Sequence, residues 1–339
     1  MLHHSAKSYR RSAVGLRLSA GAWLLLFVAV PLAQPEAPPA QTTEAGHIEQ
    51  LGEEAAHALA QAYEYDRTIP LEARTVEMRE RDGTQREKVV FRGVQGSLVP
   101  GYLEYAAATP APRPCVLLLH GWSGSKESWW QDDNYISGGN VRKALLQAGF
   151  AVLALDAQCH GDRIAENDYA PVNHYAAEGD PDPRKGYFTQ NEIYIQTTRD
   201  YRRAIDYLET RPDIDSARIG VLGYSMGGTQ TFLLTGTEPR VTVAVSVAAP
   251  AETSKWSPIA PQNFTRGIGN RPFLTIVGDN DSMCPVPHAQ ARAALIAGPS
   301  ARQLIVAGEH RLPSTWVPEA VEWITSHLSP GIREPGDEN

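Results

Sequence analysis

Ser225 lies at the centre of the five residues Gly-Tyr-Ser-Met-Gly at positions 223–227. The apolar run 219–222 precedes them and a helical pattern follows, which predicts a strand, a tight turn and a helix with the serine at the turn. Such a turn is strained and leaves no room for side chains beside the serine, so both flanking positions need glycine. A serine hydroxyl held there acts as a nucleophile when a histidine takes its proton. The pattern alone also suits a helix-capping serine beside packing glycines.

An acid and a base with suitable positions follow later in the chain. Asp281 lies in the loop after one predicted strand, and His310 lies just after the last predicted strand. In a parallel sheet the carboxyl ends of the strands meet at one edge, and the chain order serine, acid, histidine suits this kind of site. We therefore predict that Ser225 is the nucleophile, Asp281 the acid and His310 the base. Asp279 is the alternative acid, although its position directly after the strand is typical of a loop-capping residue.

The remaining histidines are less well placed to act as the base. His288 falls inside a helical pattern, and His327 lies in the last predicted helix. His120 and His160 follow earlier predicted strands, where we expect them to hold loops in place.

A nucleophilic serine also needs backbone N–H groups that stabilise the oxyanion of the tetrahedral intermediate. One such group belongs to the residue after the nucleophile, here Met226, and the other to a loop after an earlier strand. Residues 120–124, His-Gly-Trp-Ser-Gly, follow an apolar run in that position. The sequence therefore predicts Trp122 and Met226 as oxyanion donors, while an ordinary glycine turn is the alternative for 120–124.

The elements that position these residues follow from the periodicity of the chain. A helix is predicted over His47–Arg67, and a hairpin over Arg74–Arg92 turns at Asp82-Gly83. The later predicted strands cover 97–105, 115–120, 151–156, 219–224, 241–248, 273–278 and 303–307. The later predicted helices cover 138–148, 190–210, 227–236, 286–297 and 314–328. Antiparallel strands followed by strand–helix alternation predict an α/β fold with a mostly parallel sheet and helices on both faces.

Composition limits the classes of function. The 339 residues are 42% hydrophobic, and 31 basic against 39 acidic residues give a formal charge of −8. This charge argues against nucleic acid as the main partner. The sequence contains no paired-cysteine pattern of the kind that indicates a structural zinc site. We expect no metal or cofactor for the predicted chemistry.

The N-terminal residues 1–33 have the features of a secretory signal. Four basic residues precede an uncharged stretch from Leu18 to Ala33, which is short for a stable span of about 20 residues. We expect an exported protein, periplasmic or secreted. An uncleaved membrane anchor is the alternative, because Pro31 fits poorly before a cut after Ala33.

The rest of the chain divides into three predicted parts. Residues 34–46 form a flexible linker, 47–328 the catalytic domain and 329–339 a disordered tail. An exported protein with three cysteines has room for one disulfide, and the sequence does not say which of them pair: Cys115, Cys159 and Cys284.

From about Val89 to Leu328 the chain resembles the α/β-hydrolase superfamily, and within it the dienelactone hydrolase-like and acetyl xylan esterase-like branch. The resemblance is carried by residues 120–124, 156–163 and 223–228, by Gly278 with Asp281 and Pro285, and by His310. It implies the α/β-hydrolase fold and the same five site residues, each in the role predicted above. Dienelactone hydrolases proper use a cysteine nucleophile, so the serine of this chain favours ordinary esters.

The expected function is that of a serine hydrolase that cleaves carboxylic esters, of small molecules or saccharides, through an acyl-enzyme. A prolyl oligopeptidase-type peptidase, a dienelactone hydrolase-like activity and a non-catalytic binding protein are the alternatives. The roughly 50 residues between linker and sheet cannot supply the propeller that such peptidases usually carry.

Less can be said of the substrate. Residues 251–272 leave no room for the large cap of many lipases, and the insertion 157–189 is either a lid or a solvated loop. Two arginines of this insertion, Arg163 and Arg184, have the charge to bind a carboxylate, but we expect them to be solvated, as arginines on a polar loop usually are. Five aromatic residues either line a pocket or simply pack: Trp122, Trp129, Trp130, Tyr135 and Trp256.

Overall fold

A computed structural model describes residues 46–172 and 188–328. The predicted signal, the predicted tail and all of the predicted linker except Gly46 lie outside the described residues, as does the middle of the predicted insertion. Within the two described ranges, no helix has the length and apolar character that crossing a membrane requires.

The described residues form a nine-stranded sheet in the spatial order β1-β2-β3-β5-β4-β6-β7-β8-β9. Its strands are β1 (Arg74–Arg81), β2 (Thr84–Arg92), β3 (Leu98–Ala106), β4 (Arg113–Leu119), β5 (Ala151–Leu155), β6 (Ile214–Tyr224), β7 (Val241–Val247), β8 (Phe273–Gly278) and β9 (Ala301–Val306). The first three strands pair antiparallel, and β3 also pairs antiparallel with β5. All pairings among β4 to β9 are parallel. The predicted sheet, mostly parallel with antiparallel N-terminal strands, is confirmed.

Helices cover the sheet on both faces. They are α1 (Glu53–Ala60), α2 (Gly138–Gln147), α3 (Arg163–Asn167), α4 (Gln190–Glu209), α5 (Met226–Thr237), α6 (Thr265–Ile268), α7 (Val286–Ala293) and α8 (Val317–Leu328). Short 3₁₀ turns lie at Gln61–Tyr63, Lys126–Trp130, Pro261–Phe264 and Ser314–Trp316.

The core lies on either side of the central strands. Successive strand residues point to opposite faces, so Leu117 packs in one apolar cluster and Val116 in the other. Helices α4 and α5 close the first cluster, for example with Ile205, and α2 and α8 close the second, for example with Ile324. A central strand such as β5 is therefore buried along its whole length, which explains its continuous apolar sequence.

The predicted helix over His47–Arg67 is wrong in extent. Helix begins only at Glu53 and ends in a 3₁₀ turn at Tyr63. The residues before it are not helical, and Leu51 there donates its N–H to Asn263 Oδ1 at 2.9 Å and accepts from Arg266 at 2.9 Å. These tertiary contacts replace the bonds that a longer helix would have made.

Two other sequence-based expectations are settled by the fold. No disulfide joins Cys115, Cys159 and Cys284, which are all buried. Arg163, expected to be solvated, is fully buried in α3 and pairs with Asp200 at 2.7 Å. Arg184 lies outside the described residues.

Candidate active site

Ser225 occupies a strained turn between β6 and α5. Its φ of 57° and ψ of −115° lie in a region that residues with a side chain rarely adopt. The N–H of Ser225 donates to the Val247 carbonyl at 2.9 Å, which holds the turn against β7. A Cβ at Gly223 would lie 2.1 Å from the Gly227 carbonyl oxygen, and one at Gly227 would lie 2.0 Å from that of Leu119. The close packing explains why the motif needs glycine at both positions.

Ser225, His310 and Asp281 form a hydrogen-bonded chain at the carboxyl edge of the sheet. Ser225 Oγ lies 2.9 Å from His310 Nε2, and His310 Nδ1 lies 2.9 Å from Asp281 Oδ2. The structure therefore brings together the nucleophile, base and acid that the sequence predicted. Asp279, the alternative acid, makes no hydrogen bond to His310. Its carboxylate instead accepts the N–H of Gly308 at 2.9 Å. That contact is the loop-capping role expected for it.

The environment of Asp281 keeps its carboxylate ionised. Burial acts to raise its pKa, but the bond from His310 and the N–H groups of Met283 and Cys284 outweigh burial, so the pKa is lowered. The carboxylate of Asp281 accepts a hydrogen bond from the N–H at His310 Nδ1, so this tautomer keeps its proton on Nδ1 and leaves Nε2 as the acceptor facing Ser225. The Asp281 side chain is wholly buried, whereas that of His310 is 21% exposed and can meet a substrate.

The predicted oxyanion donors both lie beside the serine turn. Met226 is the first residue of α5, where no helical carbonyl is available to its N–H. Trp122 follows Gly121, whose added Cβ would lie 3.5 Å from Ser225 Cβ. In the described part of the chain, neither the Trp122 nor the Met226 N–H donates to a protein acceptor. Both groups are thus available to an oxygen atom bound next to Ser225.

Residues 120–126 form the loop that carries Trp122, which we call the Trp122 loop. A buried ion pair holds this loop in place. The Lys126 ammonium lies 2.8 Å from Asp156 Oδ2 and 2.8 Å from Asp162 Oδ2. The backbone N–H of Lys126 donates to the other oxygen of Asp156, also at 2.8 Å. The loop after β4 is therefore fastened to the turn after β5.

His120 strengthens the same attachment. Its Nε2 accepts the N–H of Ala157 at 3.0 Å, so the proton is on Nδ1, which donates to the Gly121 carbonyl at 2.8 Å. Burial lowers the pKa of His120 and favours this neutral form. His120 thus holds a loop in place, as its position in the sequence suggested.

Only part of the predicted aromatic group lies near Ser225. The Trp122 ring packs against Tyr194 and His160, with centroids 6.3 Å and 5.8 Å away, and shares an apolar cluster with Met226. Tyr135 places its hydroxyl against Gly121. The other three residues have different surroundings: Trp129 is fully buried, Trp130 donates to Glu104, and Trp256 is 76% exposed.

The sequence analysis assigns no role to two residues at the site, Lys126 and Tyr224. Lys126 was one residue among many in a polar loop, and its acidic partners lie 30 and 36 positions later. Tyr224 stands inside the motif itself, and its buried hydroxyl contacts the loop of His310. A tyrosine at the carboxyl end of a buried strand needs a hydrogen-bond partner for its hydroxyl. That requirement is the one feature of the sequence that points to a role for Tyr224.

Among residues 46–172 and 188–328, no group of three or more histidine, cysteine or acidic side chains could hold a metal ion.

The fold and the serine turn define the class of protein. The chain belongs to the alpha/beta hydrolase family, since the sequence model of that family matches residues 116–331. It is similar to YtaP of Bacillus subtilis (strain 168), with 23% identity over 239 residues that span 64% of this chain and 76% of YtaP.

Two solved structures share the fold. Acetyl xylan esterase 1 from Thermoanaerobacterium sp. JW/SL YS485 has a TM-score of 0.63 and 18% identity, over 86% of this chain and 99% of that one. The acetyl xylan esterase from Paenibacillus sp. R4 has a TM-score of 0.61 and 19% identity, over 86% of this chain and all of that one. The predicted α/β-hydrolase fold is confirmed.

Proposed function

We propose that the protein is a serine esterase that hydrolyses carboxylic esters through an acyl-enzyme. The observation that carries the proposal is the unbroken chain from Ser225 Oγ through His310 to the ionised Asp281, set on a strained turn. The three groups have the chemistry that covalent catalysis by serine needs: a nucleophile, a base and an orienting carboxylate.

The mechanism follows from these contacts. His310 Nε2 takes the proton of Ser225 Oγ while Oγ bonds to the carbonyl carbon of the ester. The oxyanion that forms accepts the N–H groups of Trp122 and Met226, each worth about 3 kcal/mol. His310 then gives its proton to the alkoxy oxygen as the carbon–oxygen bond breaks and the alcohol leaves. In the second half, His310 takes a proton from water, the water oxygen attacks the acyl carbon, and Ser225 regains its proton as the acid departs. No step calls on a metal or cofactor.

The substrate class we propose is a short-chain ester, and an acetylated saccharide in particular. The two solved structures named above are acetyl xylan esterases, which agrees with the branch that the sequence resembles. A serine nucleophile in place of cysteine favours ordinary esters over dienelactones as substrates.

Replacement of Ser225 by alanine tests the proposal. Hydrolysis of p-nitrophenyl acetate should fall by about 10⁶ in kcat, and a fluorophosphonate probe should no longer label the protein. Ser246→Ala is the matched control, because Ser246 is also buried but donates only to the Gly228 carbonyl. Ester hydrolysis that survives in Ser225→Ala would refute the assignment.

A substrate panel separates the related activities. It should contain p-nitrophenyl esters from acetyl to octanoyl, acetylated xylan, a dienelactone and proline-containing peptide anilides. We expect the highest kcat/KM for acetyl esters. Faster cleavage of the peptides would favour a peptidase, and binding of an ester without probe labelling would favour a non-catalytic protein.

We also propose that the protein is exported by means of residues 1–33, on the strength of their basic and then apolar sequence. Residues 1–46 fused to a phosphatase that is active only outside the cytoplasm should give active reporter. The same fusion with Leu25→Arg is the control and should be inactive. An active control, or an inactive parent fusion, would contradict export.

A further inference from the structure

Tyr224 links the serine turn to the histidine loop through a single oxygen atom. It is the residue before Ser225, and its side chain is fully buried. Its hydroxyl donates to the backbone carbonyl of His310 at 2.8 Å and accepts the N–H of Leu312 at 2.9 Å. The strand that ends at the nucleophile therefore holds the loop that carries the base.

The other hydrogen bonds of that loop's backbone lie at its start. The N–H of Gly308 donates to Asp279, and the Gly308 carbonyl accepts the N–H of Asn280 at 3.0 Å. In the described ranges, the His310 carbonyl and the Leu312 N–H have no hydrogen-bond partner besides Tyr224. Without the hydroxyl, the backbone on both sides of Arg311 would lose its hydrogen bonds to the sheet, and side-chain contacts such as the packing of Leu312 in the core would have to hold it.

We propose that Tyr224 is a positioning residue that sets the distance between the His310 ring and Ser225 Oγ. The inference rests on the proposed function, because it concerns the base of that reaction. The carbonyl and the imidazole belong to one residue, so a shift of the backbone moves the ring with it. A misplacement of about 1 Å in a reacting group costs about 10²-fold in rate, which makes a tether at this point effective.

The chemistry of the tether requires a neutral phenol. The hydroxyl oxygen accepts the N–H of Leu312, and the O–H donates to the His310 carbonyl. A phenolate has no proton and could not donate to that carbonyl. Burial raises the pKa of Tyr224 and keeps it protonated. Phenylalanine at position 224 keeps the aromatic ring, whose centroid lies 6.3 Å from that of the His310 ring. It removes both hydrogen bonds of the hydroxyl.

The test is Tyr224→Phe, compared with Tyr201→Phe as a matched control. The Tyr201 hydroxyl is also buried and also bridges two backbone groups, donating to Leu118 at 2.8 Å and accepting from Leu155 at 3.2 Å. It does not touch the loop of His310. We expect both variants to lose similar stability. Only Tyr224→Phe should lose kcat on p-nitrophenyl acetate, by about 10- to 100-fold with KM within twofold, and its probe labelling should slow by the same factor.

A second measurement does not depend on activity. The Nδ1 proton that His310 shares with Asp281 should give a protected downfield NMR signal, and its exchange should be at least about tenfold faster in Tyr224→Phe but unchanged in Tyr201→Phe. Equal losses of kcat in both variants, or kcat within threefold of wild type in Tyr224→Phe, would overturn the inference. Wild-type protein that is neither labelled nor active would refute the proposed function instead. In that case exchange of the His310 Nδ1 proton would still test the role of Tyr224. Faster exchange in Tyr224→Phe would support the role, and unchanged exchange would overturn it.

Discussion

The ammonium of Lys126 lies 2.8 Å from the Asp156 carboxylate, and neither side chain is accessible to solvent. Such a pair rarely adds net stability, since both charges lose their hydration when they are buried. Removal of one partner is a different matter, because the other charge then remains in the interior without its counter-ion. The pair thus makes the position of the Trp122 loop sensitive to a single substitution.

Lys126→Met should lower the free energy of unfolding by about 3–5 kcal/mol, measured by urea denaturation. Lys143→Met is the matched control. Lys143 makes an ion pair of nearly the same length with Asp132, 2.7 Å, but both side chains are about half exposed, so the loss should be about 0–1 kcal/mol. Equal losses in the two variants would contradict the distinction between buried and exposed pairs.

Asp281→Asn should reduce kcat by about 10⁴-fold, because an amide in place of the carboxylate favours the wrong tautomer of His310. Asp279→Asn changes the neighbouring acid, which binds Gly308 and not His310, and should keep kcat within a few-fold of wild type. Steady-state hydrolysis of p-nitrophenyl acetate measures both. A larger loss for Asp279→Asn would make Asp279 the acid.

The lowered pKa of Asp281 also predicts how stability depends on pH. The folded state holds this pKa below the ordinary value of 3.8, so the ionised carboxylate stabilises the fold above about pH 4. That contribution is lost as the pH falls through the folded-state pKa, where both states bind the proton. The difference in unfolding free energy between wild type and Asp281→Asn should therefore shrink between pH 6 and pH 2. A difference that stays constant over this range would contradict the shift.

Gly227→Ala should destabilise the protein although alanine is the better helix former. Helix propensity favours alanine by about 1 kcal/mol, but its Cβ would lie 2.0 Å from the Leu119 carbonyl oxygen. We expect a net loss of about 2–3 kcal/mol or more in urea denaturation. Gly52→Ala, where nothing lies within 4 Å, should change stability by less than about 0.5 kcal/mol. A neutral Gly227→Ala would mean that the turn can relax.

The cysteines should behave as protected thiols. Burial raises the pKa of Cys115 and of Cys284, and reaction with a disulfide reagent requires the exposed thiolate. Native protein should thus release no chromophore from Ellman's reagent within minutes, and three equivalents should appear in guanidinium chloride. Fewer than three in denaturant, restored by prior reduction, would reveal a disulfide.

Sequence patterns predicted those parts of the fold that are stabilised locally or buried on both sides. The Asp82-Gly83 turn lies between β1 and β2 as expected, and the largely apolar run at 273–278 matches β8 in both bounds. Ser225, Asp281 and His310 could be found because each follows its own strand, and parallel strands end at one edge of the sheet.

What the patterns missed depends on contacts between distant segments. The residues before α1 have helical periodicity, but Asn263 and Arg266, more than 200 positions later, take their backbone groups. The sequence leaves open whether Trp129, close in sequence to Trp122, lines a pocket or packs, and the structure places it in the core. Sequence proximity gave no indication of which face of the sheet each ring would meet.

The separation of Ser225 and His310 along the chain also affects the order of events during synthesis. The two residues are 85 positions apart, and His310 follows β9, the last described strand. A ribosome that adds about 5–20 residues per second would need roughly 4 to 17 seconds to pass from one to the other. The nascent chain can therefore present its serine turn well before the base exists. Under the proposed function, ester cleavage would begin only once β9 has been made and has docked, so an unfinished polypeptide would not hydrolyse esters.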